Sequence, residues 1–265
     1  GNFRSRPNDS AETQPGETEV TIGLIGYGRF GKFAAPHLAR KAEVLVFDKK
    51  RRYGRFPSRR IQAASLATVA AQPVVVLAVP VSRMRETLLA IAPHLRPDAF
   101  VLDVCAVKMV PVRWMRTLLP PSVKILGTHP LFGPDSAAKS LRGHTVVLCP
   151  VRVSRRLLAT VRSHLHAFGL DTLVMTARQH DRFAAETLVL TQFVGRMIAR
   201  AGLDRYRKAT ASYQSLMKIA ETADNDTREL FHDMIRFNPF ARGAVQKVLR
   251  SQKKLLTTFP RSVTA

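Results

Sequence analysis

A chain of 265 residues is long enough for one large or two moderate domains, and a hydrophobic content of 46% fits a globular protein with an ample core. Lys and Arg total 42 against 19 Asp and Glu, a formal charge of +23, yet no zinc-finger spacing, aromatic RNA-binding signature or basic zipper accompanies it, so nucleic acid is a poor candidate partner. No apolar run reaches the roughly 20 residues that span a bilayer and no apolar signal core is present, so neither a membrane role nor secretion is expected and a cytoplasmic protein is.

Residues 1–18, GNFRSRPNDSAETQPGET, are polar and nearly free of large apolar groups, the composition of a disordered segment. From Glu19 the pattern changes: an apolar run over Val20–Ile25 ends in glycines, and helical spacing follows over Phe30–Lys41. Further strands are predicted at Glu43–Asp48, Val74–Val79, Phe100–Val104, Lys124–Gly127 and Thr145–Cys149, with helices between most of them, notably Arg83–His94 and Met109–Leu118. Continuous Val/Leu/Ile runs alternating with helices indicate a mostly parallel sheet covered on both faces. Strand signals stop after Val174, and His180–Ala201, Asp204–Ala220, Asp226–Arg236 and Pro239–Leu256 read as amphipathic helices. The expected organisation is therefore an α/β, Rossmann-type dinucleotide-binding domain over 19–176 and an all-helical domain over 177–265 for substrate and dimerisation. The second part is too short for a large core alone, so it should pack on the sheet domain and on a second copy, giving a homodimer. Cys105 and Cys149 lie in apolar strand-like runs and read as buried, reduced thiols.

The turn Gly26-Tyr27-Gly28-Arg29-Phe30-Gly31 joins the first strand to the first helix. Gly26 permits the tight turn, Gly28 lets the backbone approach a pyrophosphate, and Gly31 lets helix and strand pack closely, while the helix N-terminus offers free N–H groups. Asp48, about 20 residues on at the end of the second strand, is placed to accept from both ribose hydroxyls and to repel a 2′-phosphate, which favours NAD. The basic run Lys49-Lys50-Arg51-Arg52, with Arg55, Arg59 and Arg60, keeps NADP as the alternative. Val79 and Pro80, closing the third strand, complete the expected cofactor-facing set.

Three motifs lie further on: Asp103-Val104-Cys105-Ala106-Val107-Lys108, then Gly127-Thr128-His129-Pro130-Leu131-Phe132-Gly133-Pro134-Asp135-Ser136, then Ala184-Ala185-Glu186 with Thr191 through Gly195-Arg196. Over about residues 20–256 they resemble the prephenate and arogenate dehydrogenases of tyrosine biosynthesis. The resemblance implies a dinucleotide-binding domain followed by a helical dimerisation domain, and the oxidative decarboxylation of a cyclohexadienol to a phenol. It also implies that His129 holds the ring hydroxyl and draws its proton, a task suited to a group titrating near neutrality. Lys108 is expected near the nicotinamide pocket, and Ala106 stands where the family usually has serine. Thr128, Thr191 and Gln192 are candidate substrate contacts. Asp226 matches an acidic position associated with arogenate, with Asp224 as its rival and a helix N-cap as the structural alternative. Arg228 is a candidate for bidentate carboxylate binding. The competing readings are a related two-domain reductase acting on another small acid or imine, and a non-catalytic nucleotide- or nucleic-acid-binding protein.

Overall fold

The computed structural model describes residues 20–50, 53–206 and 208–260, so the segment 1–18 expected to be disordered and the arginines 51 and 52 of the basic run lie outside the described residues. Thr21–Ile25 (β1), Glu43–Phe47 (β2), Ile61–Ala63 (β3), Val74–Leu77 (β4), Phe100–Asp103 (β5) and Lys124–Pro130 (β6) pair in parallel in the order β3-β2-β1-β4-β5-β6. Thr145–Arg152 (β7) then runs antiparallel to β6, and Asp171–Val174 (β8) parallel to β7, which completes an eight-stranded sheet. Strand order reverses between β1 and β4, and the crevice outside the carboxyl ends of strands at such a point is where α/β sheets bind nucleotides.

Both faces of the sheet are covered, which explains the uninterrupted apolar strands. Arg29–Leu38 (α1) packs on Leu24, Val44 and Val46 on one face. On the other, Leu66–Ala70 (α2), Val81–Ile91 (α3) and Met109–Leu118 (α4) enclose Val75, Leu77, Val101 and Ile125, all without exposed surface. Each such side chain adds about 1.5–3 kcal/mol of burial free energy, so the central strands are the anchor for the loops at their ends. Arg155–Ala167 (α5) covers Val146 and Leu148 of β7. Two short strands, β3 and β8, are additions to the sequence reading, and β6 runs three residues further than expected, taking in Thr128 and His129.

Helices alone follow β8 among the described residues: Ala177–Ala184 (α6), Leu190–Arg200 (α7), Ala211–Asn225 (α8), Arg228–Phe237 (α9) and Ala241–Leu256 (α10). A π-helical turn, Ala185–Val189, joins α6 to α7 within the predicted His180–Ala201 helix. The helix expected over Asp204–Ala220 starts later because Thr210 caps it, its hydroxyl accepting from the Tyr213 N–H. Likewise the N-cap of α9 is Thr227, so Asp226 does not cap that helix.

The helical region grips the sheet through carboxylates at helix N-termini, where the dipole favours them. Asp233 of α9 accepts the Ser82 N–H at the start of α3 at 2.9 Å. Asp181 of α6 accepts the N–H groups of Lys108 and Met109 at the start of α4, at 2.7 and 2.9 Å. Ala106 packs against a cluster built on Val189, Met234 and Ala241. No helix among the described residues is long and apolar enough to cross a membrane.

Candidate active site

The glycine turn at the end of β1 forms an open anion cradle. Gly26 has φ +100°, and a Cβ there would stand 2.4 Å from the Ala78 carbonyl oxygen, so only glycine makes this turn. A Cβ on Gly28, by contrast, would meet nothing within 4 Å, leaving space beside the backbone for a phosphate. No side chain caps α1 and no acid lies in its first turn, so its N–H groups remain available to an anion. This contrasts with α3 and α4, whose N-termini already hold carboxylates. Asp48 follows β2 directly; its two oxygens accept the Tyr27 N–H at 2.7 Å and the Lys50 N–H at 2.8 Å, each keeping a lone pair for a further donor. Tyr27 is buried against Tyr53 and Phe56, and the Phe30 and Phe33 rings meet at a tilt. Val79 lies beside Gly26 and Pro80 precedes α3, both at the β4 edge of the crevice. These residues fit a dinucleotide: free amides, open space beside Gly28 and a carboxylate at the β2 end.

The side chain of Arg29 is engaged elsewhere. Its guanidinium turns from the cradle to Asp135 and, at 3.1 Å, to Asp226, and also donates to the Asn225 carbonyl at 3.3 Å. Only its backbone, at the first position of α1, stays on the cofactor side.

On the other side of the crevice His129 lies near the carboxyl end of β6, 6% exposed. Its Nδ1 is 2.8 Å from Nε2 of His180, whose Nδ1 is 2.8 Å from Oδ1 of Asp181; His180 and Asp181 have no exposed surface. Burial, reinforced by His180 and Lys108 nearby, holds His129 well below the usual histidine range, so its ring is neutral at neutral pH. Burial lowers His180 too, with Asp181 opposing that shift. Neither His180 nor Asp181 was among the residues anticipated from the sequence.

Lys108 is not at a pocket surface. It is wholly buried and ion-paired to Asp103, itself wholly buried, whose carboxylate also accepts the Cys105 N–H at 3.0 Å. Burial keeps the Lys108 side chain with its counter-ion, close enough to His129 to act on that ring. Thr128 is tied down as well: its hydroxyl donates to the Asp103 carbonyl. Cys105 and Cys149 are free and buried, and burial pushes the Cys149 thiol up to about 12.

A second group gathers around Asp226. Its Oδ2 accepts from Gln192 Nε2 at 2.6 Å, and Arg196 donates to its carbonyl at 2.7 Å while stacking on Phe231. Burial raises the Asp226 carboxyl, with Arg29 the chief opposing influence. Gln192 is 3% exposed, and its Oε1 has no hydrogen-bond partner, an acceptor left over in a buried setting. The structure thus unites Asp226 and Gln192 and links them through Arg29 to Asp135, six residues beyond His129 in the loop that follows β6. It does not bring in Thr191, exposed and bonded to its own helix through the Thr187 carbonyl, or Arg228 and Asp224, both exposed.

Residues 58–172 match the family described as prephenate dehydrogenase, nucleotide-binding domain, and residues 197–259 the family described as TYRAAT1-like, C-terminal domain. The glycine turn precedes the first match, so its assignment rests on geometry. The chain is 29% identical over 245 residues to arogenate dehydrogenase 1, chloroplastic, of Arabidopsis thaliana, covering 88% of this chain and 38% of that protein. It is 27% identical to arogenate dehydrogenase 2, chloroplastic, from the same plant, covering 93% of this chain and 74% of that one. The chain therefore spans well under half the length of the first relative. Prephenate dehydrogenase from A. aeolicus, solved in complex with hydroxyphenyl propionate and NAD+, shares the fold at a TM-score of 0.68 and 20% identity, covering 92% of this chain and 90% of that one.

Proposed function

We propose that this chain, similar over most of its length to arogenate dehydrogenases and matching the prephenate dehydrogenase nucleotide-binding domain over residues 58–172, oxidatively decarboxylates arogenate or prephenate, giving tyrosine or 4-hydroxyphenylpyruvate, with NAD as hydride acceptor. The observation that carries this reading is a buried, neutral imidazole near the carboxyl end of β6, across the crevice from a glycine turn with free helix amides. His129 accepts the proton of the substrate's ring hydroxyl, a contribution of about 100- to 10,000-fold for a well-placed general base. The nicotinamide ring supplies the hydride acceptor when bound. Loss of the ring carboxylate as carbon dioxide then completes an aromatic ring. Gly26, Gly28 and Gly31 with the first amides of α1 hold the pyrophosphate, Asp48 the adenosine ribose, and Tyr27, Val79 and Pro80 the edges of the cradle. The lone pairs left on Asp48 support NAD; Lys49, Lys50, Arg55 and Arg59 beyond β2 are what would favour NADP.

Asp226 and Gln192 form the substrate's far end. A carboxylate there attracts the ammonium of arogenate and repels the keto acid of prephenate, so arogenate is the preferred substrate. Residues 19–176 would carry the cofactor, and 177–265 the substrate's far end and a dimer contact, for which the exposed Met197, Leu216, Ile219 and Leu249 are the supporting observation. Two buried free thiols support a reducing compartment such as the cytoplasm. The test is absorbance at the nicotinamide band with both substrates crossed against both cofactors. Turnover of arogenate with NAD is expected, and no turnover in any of the four combinations would overturn the assignment.

A further inference from the structure

A base must present a bare lone pair, yet a neutral imidazole can carry its hydrogen on either nitrogen. Which one His129 uses is dictated by the chain of groups behind it. Asp181 is held as an acceptor, Oδ1 by the Lys108 N–H at 2.7 Å and Oδ2 by the Met109 N–H at 2.9 Å. His180 Nδ1, 2.8 Å from the same Oδ1, must therefore bear a hydrogen. That leaves His180 Nε2 bare, and His129 Nδ1, 2.8 Å away, has to donate to it. The lone pair of His129 is then on Nε2, the atom turned from His180. Asn238 fixes the arrangement from outside, donating to the Asp181 carbonyl at 2.8 Å.

We propose that His180 is a positioning residue that sets the tautomer of His129 and, with Asp181, stabilises the imidazolium formed when His129 takes a substrate proton. The inference rests on the dehydrogenase reading for the proton's donor, but not for the tautomer. In that step the substrate O–H bond breaks and its proton bonds to His129 Nε2. The electron pair left on oxygen forms the carbonyl as the carbon's hydride leaves for an oxidised nicotinamide. No proton crosses to His180; the new charge stays on His129, hydrogen-bonded through Nδ1 to an acceptor whose other face meets Asp181. The charged groups around the two rings are Asp181 from α6, Lys108 at the start of α4 and Asp103 at the end of β5. The Lys108 cation opposes the new charge, and its pairing with Asp103 moderates that opposition.

The test labels the histidine ring nitrogens with 15N and reads long-range ring correlations in the ligand-free protein, for the parent, His180→Asn and His180→Gln. The parent should show His129 protonated on Nδ1; His180→Asn, too short to reach His129, should lose that pattern, and His180→Gln, whose amide oxygen can still accept, should keep it. In turnover His180→Asn should lower kcat by about tenfold to a hundredfold, with KM and cofactor Kd within about threefold of the parent, and His180→Gln should recover most of the loss. The acid limb of the pH profile should move to lower pH in His180→Asn, because the imidazolium has lost its acceptor. A parent ring protonated on Nε2, or an unchanged ring and acid limb in His180→Asn, would overturn the proposal, the first even if neither variant folds. An Nδ1-protonated parent that turns over neither arogenate nor prephenate would leave the tautomer assignment supported and sink the dehydrogenase reading instead.

Discussion

Removing the buried cation at position 108 gives a sharp test of how the site is held. Lys108→Met keeps the length of the apolar stem, so little cavity forms, but it strands the Asp103 carboxylate where both side chains have no exposed surface. What remains to Asp103 is one N–H from Cys105 at 3.0 Å and a long contact from the Thr128 N–H at 3.4 Å. Stripping one partner from a buried pair costs about 3–5 kcal/mol, a large share of the roughly 5–15 kcal/mol that holds a domain folded. Asp103→Asn on top of Lys108→Met removes the stranded charge and keeps an acceptor for Cys105, so the double variant should recover about 1–2 kcal/mol or more of the loss. Urea denaturation followed by Trp114, the single tryptophan and a residue of α4, reads both values. A loss below about 1 kcal/mol for Lys108→Met, or a double variant no more stable than the single, would refute the buried-pair reasoning.

His129→Asn should lower turnover by about 100-fold or more while cofactor titration stays near the parent; turnover within about threefold would remove His129 from the reaction. Asp48→Ser should weaken NAD and improve NADP in paired cofactor titrations, and a parent that already prefers NADP would undo the ribose assignment. Asp226→Asn should move the ratio of specificity constants from arogenate toward prephenate by roughly tenfold to a hundredfold. Arg29→Ala, by freeing the same carboxylate, should move it the other way, and an unchanged ratio in both variants would place the substrate elsewhere. Because the folded protein holds His129 and His180 below the ordinary value near 6.5, the unfolded chain binds more protons as pH falls under that value, and stability should drop by up to about 1.4 kcal/mol per unit for each ring. Thermal melts at about pH 7.5 and about pH 5.5 measure it, and equal melting temperatures would contradict the burial argument.

The central strands were legible in the sequence because buried parallel strands need apolar residues on both faces, as in Val74–Leu77 and Phe100–Asp103. The three-residue β3 and the largely exposed β8 were not, since neither carries enough apolar side chains to make a pattern. The glycine turn and His129 stand out because their surroundings restrict what can occupy them. His180 and Asp181 do not, because a His-Asp pair at the start of an amphipathic helix looks like part of a solvated face. One signal was present: with Ala184, Ala185 and Val189 they fall on a single buried stripe, where two ionisable groups are out of place unless they serve each other. The Lys108–Asp103 pair was not legible either, since nothing local announces that the carboxylate five residues earlier folds back on the lysine.

Asp181 gives the molecule a limited modularity. The same carboxylate orients a ring beside the site and closes the positive end of α4, so the helical region is stitched into the sheet at the place where the chemistry is proposed to occur. A recombinant in which the helices come from a different dehydrogenase would keep the glycine turn intact, since Gly26, Gly28 and Asp48 all lie in the sheet region. Unless the donor helix brings an acid and a histidine in register with Lys108 and His129, such a chimera would hold a cofactor and leave its base without a fixed orientation. Exchange of the helical region is therefore constrained at this turn of α6, as it is where Asp233 of α9 holds the start of α3.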